Sequence, residues 1–209
     1  MKSEFLKKGR PKCDADLIRK ILPNLGCYNK GSATEKRKHF YLSSYPTFLL
    51  IARNQALDKE TRHMALAAMI YGWMPTIPKS IVPFAIDTVA KIESHDKAYE
   101  YLKQKTLKPL INNSWVGTSK MLHFINPQHF PIWDSRIASV VYGDPVDANN
   151  KQGYLDYCAA IHQWDIEQPD YGLELAKSIE KEYGYRPTNL RCIELVLFSL
   201  KAQSDYQGR

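Results

Sequence analysis

The chain has no run of about 18 consecutive apolar residues, the length a membrane-spanning helix needs. Its first residues, Met1-Lys-Ser-Glu-Phe-Leu-Lys-Lys, are charged and lack the apolar core of a secretory signal. A cytosolic protein with no membrane partner is therefore expected. Cysteine is sparse: Cys13, Cys27, Cys158 and Cys192 stand at separations that match no metal or redox motif. In a reducing compartment they are expected as thiols, with Cys158 and Cys192 in the core. No alternating apolar and polar stretch persists, so no sheet is expected. Internal repeats and low-complexity tracts are missing as well. What is present is 209 residues, 44% hydrophobic and 24% charged. That is ordinary globular composition, and the length can bury a real core in one domain or two small lobes.

Charge is unevenly placed. Residues 1–40 hold 11 Lys and Arg against 4 Asp and Glu, whereas residues 41–209 hold 18 of each. The whole formal excess of +7 therefore sits in the first 40 residues. Lys7, Lys8, Arg10 and Lys12 form one basic cluster, Arg19 and Lys20 a second, and Lys36, Arg37 and Lys38 a third. Such an arm suits contact with phosphates, adding affinity for DNA without choosing a sequence. A solvated N-terminal segment would have the same composition.

The remainder reads as helix after helix, an all-α chain of roughly eight to ten. Asp14–Leu22 fits a first helix, stopped at Pro23. Thr34–Phe40 opens a second, expected to break at Pro46 before Thr47–Arg53. Lys59–Trp73 is strongly periodic, with Met64, Ala67, Ala68 and Tyr71 recurring at helical spacing. Ile81–Ile92 and His95–Ile111 are further candidates. Later helices are expected near Ser135–Tyr142, Gly153–Trp164, Tyr171–Tyr183 and Pro187–Ala202. Gly143–Asp147 and Gly184–Pro187 read as loops. Arg191, Glu194 and Leu195–Phe198 are expected to pack the last helix into the core.

Ser114–Ile137 is the most informative stretch. Val116, Gly117 and Thr118 read as a tight turn, with Ser119 and Lys120 at the start of the next helix. Met121, Leu122, Phe124 and Ile125 give that helix an apolar face, and Pro127 stops it. Phe130, Pro131, Ile132 and Trp133 then bury a segment immediately before Asp134. An acid placed after so apolar a run is a helix cap for Ser135 onward, a functional carboxylate, or both.

This stretch resembles the helix-hairpin-helix DNA glycosylase superfamily, and most closely the stand-alone bacterial proteins with an 8-oxoguanine glycosylase fold. Val116-Gly117-Thr118 is similar to the hairpin core, and Phe130-Pro-Ile-Trp-Asp134 to the approach to the catalytic acid. Asn113-Ser114-Trp115 stands where the family has Leu-Pro-Gly. Counted from Gly117, the family's Lys-or-Ser position falls on Ser119, and Lys120 comes one residue later. One residue turns a helix by about 100°, so only one of the two can face the acid.

The resemblance implies a single glycosylase-like domain over residues 1–209, with a helix-hairpin-helix element between two lobes. The implied partner is double-stranded DNA carrying a damaged or modified base. Asp134 would stabilise the sugar cation and orient water, leaving an abasic site. Lys120 would be the alternative, a nucleophile giving strand cleavage. Backbone N–H groups of Val116, Gly117, Thr118 and Ser119 would hold a phosphate, and Trp115, His123, His129 and Trp133 would line the base pocket. No cofactor and no metal are implied; the cysteines cannot hold the iron–sulfur cluster of some relatives. Oxidised guanine and a hypermodified phage base, hence repair and antiviral defence, are both open. Two other classes fit the same residues: a non-catalytic helix-hairpin-helix DNA-binding module, and an α-helical protein-interaction domain with a basic tail.

Overall fold

The computed structural model describes residues 35–74, 77–143 and 147–207. The expected helix Asp14–Leu22 and the cluster Lys7, Lys8, Arg10 and Lys12 lie outside these. Among the described residues there are nine helices and no strand. They are α1 Glu35–Arg53, α2 Lys59–Gly72, α3 Ile86–Ala90, α4 His95–Lys103, α5 Trp115–Ile125, α6 Ser135–Tyr142, α7 Lys151–Glu167, α8 Leu173–Tyr183 and α9 Asn189–Gln207. The all-α expectation therefore holds.

α5 is the centre. It packs against α1, α2 and α3, and every one of its residues except Val116 is buried. α9 closes the other half over α6, α7 and α8, while α4 lies on α7 and α8 reaches back to α1. Cys158 and Cys192 are buried in the core. Gly117 permits the close approach of α5 to its neighbours: a Cβ there would stand 3.3 Å from the Tyr71 hydroxyl and 3.4 Å from Ile111 Cβ.

Several elements differ from the sequence expectation. α1 runs through Pro46 without a break. Leu42, Tyr45, Phe48 and Ala52 form one buried stripe across the proline, and burying side chains of this size outweighs the one hydrogen bond a proline removes. α2 is rotated from the expected face. Met64 and Ala68 point outward, and His63, Leu66, Ala67, Ile70 and Tyr71 are buried. That stripe carries the larger aliphatic side chains. Asp58 caps α2 by accepting the Thr61 N–H at 2.9 Å.

α4 ends at Lys103 rather than Ile111, and α3 spans only Ile86–Ala90. Pro109 and Pro83 push the residues before them toward extended backbone. Ile81 pairs with Ile111 in an isolated antiparallel bridge, and Val82 N–H donates to the Leu110 carbonyl at 2.8 Å. The tight turn also moves. It lies at Asn112 and Asn113, whose φ values of 50° and 52° are left-handed, a region asparagine tolerates. Ser114 N–H closes it on the Ile111 carbonyl at 2.8 Å, as in a two-residue type I′ turn. Ser114 then caps α5 by accepting the Gly117 N–H. Val116, Gly117 and Thr118 are thus the first turn of a helix, not a loop.

Candidate functional site

Between α5 and α6 the chain runs from Asn126 to Asp134 without regular structure, yet most of it is buried. A buried irregular segment cannot satisfy its backbone with a ladder, and each unpaired N–H or carbonyl is costly. Here side chains from the surrounding helices take that role. The Pro127 carbonyl accepts from the Thr188 hydroxyl (3.2 Å), and the His129 carbonyl from His162 Nε2 (2.8 Å). The Phe130 carbonyl accepts from His123 Nδ1 (2.7 Å), and the Pro131 carbonyl from the Tyr154 hydroxyl (3.2 Å). Ile132 N–H donates to Glu194 Oε2 (3.4 Å).

Ser119 grips Trp133 from both sides. Its Oγ accepts the Trp133 N–H (2.9 Å), and its one proton is shared between the Val116 carbonyl (2.9 Å) and the Trp133 carbonyl (3.0 Å). Trp133 Nε1 donates to the Ala148 carbonyl (2.8 Å). The loop is therefore held by α5, α7 and α9 together with the residue just before α9.

This clamp delivers one acid. Asp134 is half-buried at the N-terminus of α6, where its Oδ1 accepts the Ile137 N–H at 2.9 Å. The cap predicted from the sequence is present, and it does not consume the second oxygen of the group.

Lys120 shares the electrostatic surroundings of Asp134. Its side chain is buried, and loss of water holds its amine below the ordinary lysine value. The Asp134 and Glu194 carboxylates oppose that shift, in that order, and Arg191 adds to it. Glu194 is itself fully enclosed; burial pushes it up to about 7, against the Arg191 guanidinium that forms an ion pair with it. Arg191 lies over the Tyr45 ring at 4.8 Å. Tyr45 in turn shares a proton with His123 Nε2 at 2.7 Å. His123 is driven down to about 3 by burial and then by Arg191, so both of its nitrogens act as neutral clamps.

Several predicted roles need correction. Gly117, Thr118 and Ser119 are buried, and Thr118 and Ser119 have no exposed surface at all. The Gly117 and Thr118 N–H groups are bound by Ser114, and the Trp115 N–H by Asn149 Oδ1. These residues cannot cradle a phosphate in this arrangement; Val116 alone of the set is half-exposed. His123 and Trp133 are likewise fully buried core residues and leave no face for a base. Trp115 is buried, with the Lys151 amine over its ring at 5.3 Å. His129 is half-buried and faces His95, the two Nδ1 atoms 3.2 Å apart. Of the two candidates beside the acid, Ser119 binds the backbone before it and Lys120 supplies the amine.

Arg191 and Glu194 pack the last helix into the core as expected; their pairing with each other was not anticipated. Both are buried charges, and they stand three apart on one face of α9. A charged pair interrupting an apolar run was the available signal. Among the described residues no three His, Cys, Asp or Glu groups converge on a metal position. A groove of about 460 Å³ lies elsewhere, walled by Thr88, Ile92, Lys97, Glu100, Tyr101 and Gln104. Comparison with family models, curated proteins and solved structures gave no match.

Proposed function

We propose that this chain is a DNA glycosylase that extrudes a damaged or modified base from duplex DNA and hydrolyses its N-glycosidic bond. The observation that carries the reading is the clamped loop, which ends in a half-buried carboxylate. Breaking a glycosidic bond builds positive charge on the sugar. A fixed carboxylate stabilises that charge and orients the attacking water. The base must first leave the stack. An abasic site is the product.

Lys120 supports a second reading, in which the enzyme also cuts the strand. Burial makes its neutral form more accessible than for an exposed lysine. The amine lone pair would attack the sugar carbon as the base departs with the bonding electrons. Proton loss and ring opening then give a Schiff base.

Asp134→Asn tests the first reading cleanly, because asparagine caps a helix about as well as aspartate. Release of free bases from a panel of damaged and modified duplexes is followed by mass spectrometry. The variant should keep its DNA affinity and lose about 100-fold or more in release rate. Wild-type turnover in the Asn variant would leave Asp134 as a cap only. Borohydride trapping separates the second reading, since only a Schiff base is reduced to a stable adduct. An adduct that disappears in Lys120→Ala assigns the amine as nucleophile.

A further inference from the structure

Three histidines and one aspartate gather where the 126–134 loop meets α4 and α7, and the chemistry proposed above uses none of them. The Asp165 carboxylate of α7 is fixed at both oxygens. Its Oδ1 accepts from Asn189 Nδ2, at the start of α9, at 2.6 Å, and its Oδ2 accepts from His95 Nε2, at the start of α4, at 3.0 Å. The other ring nitrogen of His95, Nδ1, stands 3.2 Å from Nδ1 of His129 in the loop. The His162 ring of α7 stacks on the His95 ring at 4.2 Å, with its Nε2 on the His129 carbonyl at 2.8 Å. His95 and Asp165 keep 15% and 19% of their side-chain surface exposed and His129 is half-buried, so water reaches the chain. These contacts fix the tautomers. An ionised carboxylate only accepts, so the proton of neutral His95 is on Nε2 and its Nδ1 is bare. His129 must then donate from Nδ1, which leaves its Nε2 bare. A proton arriving at His129 Nε2 lets the Nδ1 proton cross to His95, and the charge comes to rest against Asp165. Every hydrogen bond survives that step. A second proton does not fit, because both Nδ1 atoms would carry hydrogens and face each other as two cations.

We infer that Asp165, His95 and His129 form a one-proton relay that latches the loop to α4, and that a second proton opens the latch. The relay needs no DNA and stands apart from the base-excision reading. The groups that face it are His95 from α4, Asp165 and His162 from α7 and Asn189 from α9. His162 stays neutral, pushed down to about 3 by burial and then by His95. Burial and then His95 also lower His129, against the pull of Asp165. A lowered histidine value means that the latch is closed above the ordinary histidine range and is lost as pH falls through the lower one. What it fastens is the start of the loop. The His129 and Phe130 N–H groups return to the Asn126 carbonyl at 3.3 and 3.2 Å, and Asn126 Nδ2 donates to the Val89 and Ile92 carbonyls at 3.1 and 2.8 Å.

The test uses the full chain without DNA, with ¹⁵N in its histidine rings. Long-range ¹⁵N–¹H spectra read the tautomer and charge of each ring through a pH titration, and His95→Gln and His129→Gln assign the two rings by loss of signal. Neutral His95 should carry its proton on Nε2 and neutral His129 on Nδ1. The two rings should charge in separate steps, and His95→Gln, which cannot hold a charge, should raise the His129 midpoint by about one pH unit. Amide exchange at His129 and Phe130, corrected for its intrinsic pH dependence, should report the latch. Opening should become easier as pH falls below the ordinary histidine range, and His129→Gln should make that dependence shallower by about tenfold per pH unit, the linkage of one proton. Should His95→Gln fail to fold, Asp165→Asn replaces it. Its carboxamide oxygen still accepts from His95 Nε2, and the first step of the pair should fall by about one pH unit for want of the carboxylate. A neutral His129 protonated at Nε2, a single midpoint shared by both rings, an unmoved step in the folded variant, or an exchange slope unchanged in His129→Gln overturns the inference.

Discussion

Residues 77–85 and residues 126–134 are both irregular, and each carries two prolines: Pro78 and Pro83 in one, Pro127 and Pro131 in the other. They are held in opposite ways. None of residues 77–85 is buried, and the segment leans on Asn112 and on bridges to Leu110 and Ile111. The second loop is mostly buried, and six side chains from elsewhere in the fold hold its backbone. Water can replace lost partners in the first loop far more readily than in the second. The comparison gives Ser119, His123, Tyr154, His162 and Glu194 one explanation: they complete the hydrogen bonds of the segment that presents Asp134.

The strongest way to break that comparison is Ser119→Ala. It removes the partner of the Trp133 N–H and a share of the Trp133 carbonyl, both in a fully buried setting. Leaving buried groups unpaired costs about 1–3 kcal/mol each. A loss of about 3 kcal/mol in urea unfolding is expected, together with loss of any Asp134-dependent base release. A change below about 1 kcal/mol would mean that the loop finds other partners and that Ser119 is no clamp.

Much of this half of the molecule is legible in the sequence, but not its polar logic. The apolar run Phe130–Trp133 announces burial, and Asp134 before Ser135 announces a cap; both are present. Helix α2 is legible by periodicity, though its buried face is set by Leu66 and Ile70 rather than by Met64 and Ala68. The turn was misplaced because Val116-Gly117-Thr118 looks like a loop only until Ser114 is recognised as an N-cap. Its Asn112-Asn113 pair was the better turn signal, since asparagine tolerates left-handed backbone. Ser119, His123, Tyr154 and Glu194 are unreadable as clamps from one chain. Their partners are backbone groups, which carry no residue identity, and Glu194 lies 62 positions from Ile132.

Acid sharpens the comparison next, because the buried loop is held partly by titratable groups and the exposed one by an amide. His123 and His162 are held at about 3 by burial, far below the ordinary 6.5. Each contributes stability that is fully present above pH 6.5 and is lost as pH falls toward 3. Glu194, raised from 4.5 to about 7, acts in the opposite sense: the fold keeps its proton where the unfolded chain releases it. Between pH 4.5 and 6.5 the unfolded chain thus gains two histidine protons against one retained on Glu194. His63 and His129, also lowered by burial, add to the histidine side. Stability should therefore fall as pH is lowered through this window. His162→Gln retains a donor for the His129 carbonyl and cannot titrate. The slope measured by urea unfolding from pH 6.5 to 5 should drop by about one proton, and an undiminished slope would show that His162 is not a neutral clamp.

Asn112→Gly should give the smallest effect. The Asn112 side chain accepts the Lys79 and Ser80 N–H groups at 2.6 and 3.0 Å and donates to the Ile77 carbonyl at 3.0 Å, which makes it the counterpart of Ser119 in the exposed loop. Glycine keeps the left-handed backbone of the turn, so the substitution removes the hydrogen bonds without adding strain. Ile77, Lys79 and Ser80 are exposed, and water takes over all three bonds. The loss in stability should stay below about 1 kcal/mol, although as many hydrogen bonds are lost as in Ser119→Ala. Amide exchange should quicken at Lys79 and Ser80 and remain unchanged at Ile132 and Trp133. A loss as large as that of Ser119→Ala would mean that number of bonds, not access of water, governs how firmly each loop is held.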